Sequence, residues 1–130
     1  MISQPVALGL MFCDLVIVEE RTKKVSLIGT FTGIGANRFP AVAQPFSVIA
    51  VLTDGQGTAT IELVVSRLDT GEVVFTHSGQ LDFPDKLAEV TYHIRLRQCS
   101  FPAPGQYQFT LLVDREWVCH RRMRLSLREE

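Results

Sequence analysis

No lysine or arginine occurs before Arg21. The opening stretch "MISQP" therefore lacks the basic flank that a secretory signal requires. A lipid-modification signal asks for a small residue before its cysteine, and Phe12 precedes Cys13. Asp14 breaks the apolar run that follows, leaving it well short of the roughly 20 residues that span a bilayer as a helix. Cysteine is scarce too. The three present, Cys13, Cys99 and Cys119, are odd in number and show no C-x-x-C spacing, which argues against a disulfide framework. They are expected to be reduced thiols acting as small apolar side chains in a cytoplasmic protein.

Motifs that carry chemistry are missing as well. There is no G-x-S-x-G elbow, and no glycine-rich loop opens a helix to cradle phosphate. His77, His93 and His120 are the available bases, but Cys119 and His120, adjacent on one strand, point to opposite faces. Cys99, near a strand end where it would be open to solvent, has no histidine beside it in sequence. Zinc would want four Cys or His ligands, usually in close pairs, and only the diverging Cys119–His120 pair exists. The expectation is a protein that is not an enzyme and has no cofactor. Net charge is −1 with a pI near 6.3, which removes the bulk electrostatic case for nucleic acid or a membrane surface.

What is present is strand pattern. Hydrophobic residues make up 46% and charged residues 21%, a globular balance. Period-2 alternation and turn dipeptides recur throughout, while helical periodicity is hard to find. Strands are expected over residues 6–19 and 24–31, then at "FSVIAVLT", "TATIELVVSRL", "VVFTHSGQL", "EVTYHIRLRQ", "QYQFTLLV" and "WVCHRRMRLSL". In the last of these, Trp117 and Cys119 share the inward set with Met123 and Leu125. "DGQG" and "DTGE" read as hairpin turns, and "TGIGANRFPAVAQP" reads as a long connection. Eight strands at roughly ten-residue spacing indicate an all-β fold, a single antiparallel β-sandwich, immunoglobulin-like or jelly-roll-like, as one domain over residues 1–130. Tyr107, just after "PAPG", is placed to donate its hydroxyl back to the backbone and lock a corner. The first strand changes phase at Cys13–Asp14, which reads as a bulge or a crossing between sheets.

"FCDLVIVEERTKKVSLIGTF", "NRFPA" and "FPAPGQYQFTLLVD" together resemble a family of short bacterial proteins known as a domain of unknown function. The resemblance runs nearly the full length. It implies a single all-β sandwich of bacterial origin and brings no activity or binding residues with it.

Three candidate surfaces follow if every strand crosses the whole sandwich. One end gathers Glu19, Glu20, Asp54, Asp82, Asp85, Asp114 and Glu116, and Asp54, Asp82 and Asp85 are the best carboxylates for a calcium ion. The other end gathers an apolar, proline-rich set that includes Arg38, Phe39, Phe101 and Pro102, fit for a partner. Seven of the 13 basic residues but only four of the 14 acids lie from His93 onward. Arg95 and Arg97, with Arg122 and Arg124, would merge into a basic face if their strands share a sheet. The leading expectation is a non-catalytic binding or structural module that meets a protein partner or a second copy of itself, and the alternative is a ligand or calcium binder.

Overall fold

The computed structural model describes residues 4–128. Met1–Ser3 of the opening stretch and Glu129–Glu130 of the expected domain lie outside the described residues. Among the described residues there are eleven strands and no helix: β1 (Val6–Val18), β2 (Val25–Phe31), β3 (Gly33–Ala36), β4 (Ala41–Val42), β5 (Phe46–Thr53), β6 (Gly57–Arg67), β7 (Val73–Phe83), β8 (Val90–Leu96), β9 (Ser100–Phe101), β10 (Gly105–Val113) and β11 (Glu116–Leu127). The chain is all-β, as its alternation predicts.

The sheets depart from a uniformly antiparallel plan. One has the order β2-β1-β5-β8, the second β3-β11-β10-β6-β7, and a short third pairs β4 with β9. The second sheet is mixed, because β3 runs parallel to β11. The segment expected as a bare connection thus holds two extra strands. "DGQG" is a further correction, since β5 and β6 belong to different sheets. Its positive φ values at Asp54 and Gly57 turn the chain from one sheet to the other instead of closing a hairpin. "DTGE" and "DRE" do close hairpins, β6–β7 and β10–β11.

Alternation decides which side chains meet. In β6 the odd positions Ala59, Ile61, Leu63 and Val65 are buried, and in β10 so are Tyr107, Phe109, Leu111 and Val113. β5 lies between β1 and β8 and buries five residues in a row, Phe46 to Ala50, as a strand apolar on both faces should when it is central. Both principal sheets feed one core. Phe12 of the first sheet meets Phe109 of the second with ring centroids 4.7 Å apart. Arg121, on the inward set of β11, reaches across to donate to the Leu10 carbonyl at 2.7 Å, and its guanidinium carbon lies 5.8 Å from the centre of the Phe12 ring.

Three bulges shift the parity of the faces, one of them in β7, where Val74 is the extra residue between the pairs Val65–Phe75 and Ser66–Val73. In β1 the register slips between Ala7 and Gly9, not at Cys13–Asp14, and Leu8 is left 54% exposed. In β11 Leu111 pairs with Cys119 but Leu112 pairs with Trp117, leaving Val118 as the extra residue. An inserted residue sends every later side chain to the other face. Trp117 is therefore 57% exposed instead of sitting in the core with Met123 and Leu125.

The corner at Tyr107 forms as the turn chemistry predicts. Its hydroxyl donates to the Ala103 carbonyl at 2.7 Å and accepts from the Ala103 amide at 3.2 Å. Its ring meets Phe101 edge-on at 4.9 Å. Replacing Tyr107 with Phe keeps the ring and strands both Ala103 groups, which should cost roughly 1–3 kcal/mol. Urea unfolding of the variant measures this as a lower midpoint at unchanged slope.

Candidate functional site

β1 pairs with β5 only from Val6 to Cys13. Beyond that point β1 has a single neighbour, β2, through the pairs Leu15–Ile28, Val16–Leu27, Ile17–Ser26 and Val18–Val25. The result is a two-stranded arm, about 13 Å long at 3.3 Å per residue, that leaves the body of the sheet. Leu15, Ile17, Val18, Val25 and Ile28 on it are 43–55% exposed. Leu15, Ile17 and Ile28 lie on one face, Val18 and Val25 on the other. A two-stranded ribbon apolar on both faces has no core of its own to cover.

The tip is ordered by its own polar groups. The Glu19 carboxylate accepts from the Thr22 amide, and this holds its pKa below the usual value. Lys23 takes a left-handed conformation, φ 60°, and its amide donates to the Glu19 carbonyl at 2.9 Å.

The root of the arm is fastened at Asp14. Arg95 donates from Nη1 to the Asp14 carbonyl at 2.6 Å and to Ser47 Oγ at 3.0 Å. Ser47 is fully buried and also hydrogen-bonds His93 Nε2 at 2.8 Å. On β2, Gly29 sits at φ 70°, a conformation suited to glycine, and a Cβ there would lie 2.5 Å from the Asp14 carboxylate. The Asp14 side chain occupies the space that the missing side chain leaves. Ser47 with His93 has the atoms of a nucleophile and base, but its hydroxyl has no accessible surface and already accepts from Arg95. It acts as a strut, joining β5 to β8 while Arg95 carries the tie on to β1.

An open groove of about 930 Å³ runs beside this root, between the arm and β3. Asp14, Arg95, Arg128, Asn37 and Gln44 bring charge and amides to it, and Phe46 is part of its floor. Arg128 covers the backbone at Gly35, where a Cβ would fall 2.5 Å from its Nε.

The expected surfaces are partly rearranged. β2 returns only as far as Phe31, opposite Phe12, halfway along the sheet. The strands no longer alternate between ends, and Glu19 and Glu20 move to the end of the molecule that holds the proline-rich loops. At that end Arg38 is exposed, and Phe39 and Pro102 are half-buried. Phe101 is fully buried. Pairing of β9 with β4 and contact with Tyr107 make it a plug of the core, with no surface to offer a partner. Arg95 is on β8 and Arg97 just beyond its end, whereas Arg122 and Arg124 are on β11 in the other sheet, so no single basic face forms.

Two of the carboxylates proposed for calcium are already engaged, Asp82 from within β7 across its pairing with β6 and Asp85 within its own turn. Asp82 accepts from Thr58 Oγ1 at 2.6 Å and Asp85 from the Leu87 amide at 2.9 Å, while Asp54 is itself in a left-handed turn position. Among the described residues no group of three or more His, Cys, Asp or Glu is placed to hold a metal ion. Cys99 is buried, contrary to the exposure expected of it, and burial pushes its thiol up to about 12. Burial raises Cys13 and Cys119 as well, so none of the three is drawn toward the reactive thiolate.

The fold and the arm define an all-β protein of two principal sheets on one core, with a hairpin projecting from one of them. The chain belongs to a family of unknown function, DUF6941, whose profile matches residues 8–126. No curated protein matches it. Among solved structures it is similar to an alkylpurine DNA glycosylase of Pseudomonas fluorescens bound to DNA containing an abasic site analog, at 12% identity and a TM-score of 0.49. That likeness covers 95% of this chain and 31% of the other. It is also similar to a β-glucosidase of Listeria innocua in complex with isofagomine, at 10% identity and a TM-score of 0.48, over 95% of this chain and 16% of that one. The sensor domain of an anti-sigma factor from Pseudobacteroides cellulosolvens gives 15% identity and a TM-score of 0.37, over 69% of this chain and 90% of the other. This chain therefore spans less than a third of the first two. No helix among the described residues is long and apolar enough to cross a membrane.

Burial first, then the Arg95 charge, hold the His93 pKa below its ordinary 6.5. Above that value neither the folded nor the unfolded chain carries the proton. As pH falls below it the unfolded chain is protonated first, so stability is lost down to the lowered folded pKa. Urea midpoints at about pH 7.5 and about pH 5.5 should differ less in His93→Gln than in the unaltered protein.

Proposed function

We propose that this protein is a non-catalytic binding module, a single β-sandwich formed by its two principal sheets, which contacts a protein partner or a second copy of itself through the arm. It uses neither cofactor nor nucleic acid and works in the cytoplasm, a reading supported by three free thiols. One observation carries the proposal: the Leu15–Val18 and Val25–Ile28 ribbon stands outside the core with apolar side chains on both faces. Keeping such side chains in water forgoes about 25 cal/mol for every Å² left uncovered, and a partner would recover it.

The edge of the arm supports the same reading. β2 is an outermost strand, and "VSLIGTF" contains no charge and no proline to discourage pairing. The edge strand β8, by contrast, carries His93 and Arg95, and β3 is only four residues long. An added strand on β2 would gain main-chain hydrogen bonds and meet the apolar faces together. Arg38, Phe39 and Pro102 border the same end and would contribute at the rim.

Ile17→Glu and Ile28→Glu place a carboxylate on the exposed arm face without entering the core, so folding should survive with stability changed by about 0.5 kcal/mol or less. Light scattering over a concentration series, together with identification of co-purifying proteins, should show an association in the unaltered protein that both variants lose. An unaltered protein that stays monomeric and brings down the same proteins as the variants would overturn the proposal.

A further inference from the structure

The outer face of the five-stranded sheet carries a second surface, at the opposite end from the arm. The Val118 bulge turns the indole of Trp117, the chain's only tryptophan, out of the core. It lies on a cross-strand row with Leu112, Glu62 and Ser78. Beside that row is a shallow depression of about 430 Å³ lined by Thr60, Glu62, Ser78, Asp114 and Arg115. Strands stand about 4.8 Å apart, so indole and depression share a track roughly 14 Å wide across the four strands.

We propose that this face binds a neutral polysaccharide chain. The electron-rich indole face attracts the weakly positive C–H groups on the flat side of a pyranose ring. The Glu62 carboxylate, and the oxygen of Asp114 that the Thr60 amide does not already use, accept hydrogen bonds from sugar hydroxyls, while the side chains of Thr60, Ser78 and Arg115 supply donors. The acids also select against the other polymer that stacks on exposed aromatics. A single-stranded nucleic acid would bring its phosphates against Glu62 and Asp114, and such sites present a positive groove with several stacking rings. The single indole here has His120 as its aromatic neighbour, tilted, with centroids 5.7 Å apart. A bulge is a device for re-aiming a side chain, and here it moves the largest one in the chain from core to surface.

Because Trp117 is the only tryptophan, emission excited selectively from tryptophan, beyond the absorption of Tyr92 and Tyr107, reports this site alone. The full chain is titrated with cello-oligosaccharides, chito-oligosaccharides and, separately, oligothymidylate, and its retention on cellulose and chitin is measured. A saturating change in emission with a sugar, and retention that falls about tenfold or more in Trp117→Ala, are expected of an aromatic anchor. Trp117→Phe should keep part of the retention, and Glu62→Gln should weaken it. Urea midpoints close to the unaltered protein's show that the variants fold. Retention unchanged in Trp117→Ala, no response to any sugar, or a response to oligothymidylate alone would each overturn the proposal.

Discussion

Arg95 ties together the parts on which the arm depends. Its guanidinium meets the Asp14 carbonyl and the Ser47 hydroxyl, linking β8 and β5 to the residue at which β1 loses its β5 partner. A charged donor held at 2.6 Å on a backbone carbonyl is a strong hydrogen bond, and it is made where the ladder would otherwise fray. Gly29 answers from the other strand by leaving room for the Asp14 side chain. The ribbon beyond that level is held by β1–β2 hydrogen bonds and by its anchored root. A free two-stranded hairpin is marginal in water; a fastened one can present apolar side chains in fixed geometry. Preorganisation of that kind reduces the ordering cost of association.

The short β2 strand has consequences at the other end of the molecule. By stopping at Phe31 it hands the chain to β3 in mid-body, where a brief parallel pairing with β11 starts the second sheet. Glu19 and Glu20 are carried away from Asp54, Asp82 and Asp85. The groove beside the arm opens in the same place, between the root of the arm and the four-residue β3. Arm, groove and proline-rich loops thus share one end, and the indole and acids of the five-stranded sheet share the other.

Much of the fold was legible in the residues. Alternation in "TATIELVVSRL" and "QYQFTLLV" names the buried positions of β6 and β10, and the turn before Tyr107 foretells its corner bond. Sheet membership was not, because a tight Asp-Gly turn has the same local chemistry whether it joins paired strands or carries the chain between sheets. Parity failed at each bulge, since one extra residue such as Val118 leaves no mark in a period-2 pattern yet reverses Trp117. Arg121 could have been found: it shares the odd set of Cys119, Met123 and Leu125, and a charge in that position needs a carbonyl or ring to meet. Ser47, His93 and Arg95 come together only through the β5–β8 register, which no single segment records. The arm stayed hidden for a related reason. "LVIV" and "VSLIG" have the composition of core strands, and only the loss of the β5 neighbour after Cys13 shows that they leave the core.

Amide hydrogen exchange across the arm tests most directly whether it is an anchored, preformed binding element. The unaltered protein should show protected amides in residues 15–18 of the arm, beyond the last β5 pair. Replacing Arg95 with Met should remove that protection while residues 9–13, still paired with β5, keep theirs. Arm amides that exchange at free-chain rates in the unaltered protein, or that stay fully protected without Arg95, would contradict this account.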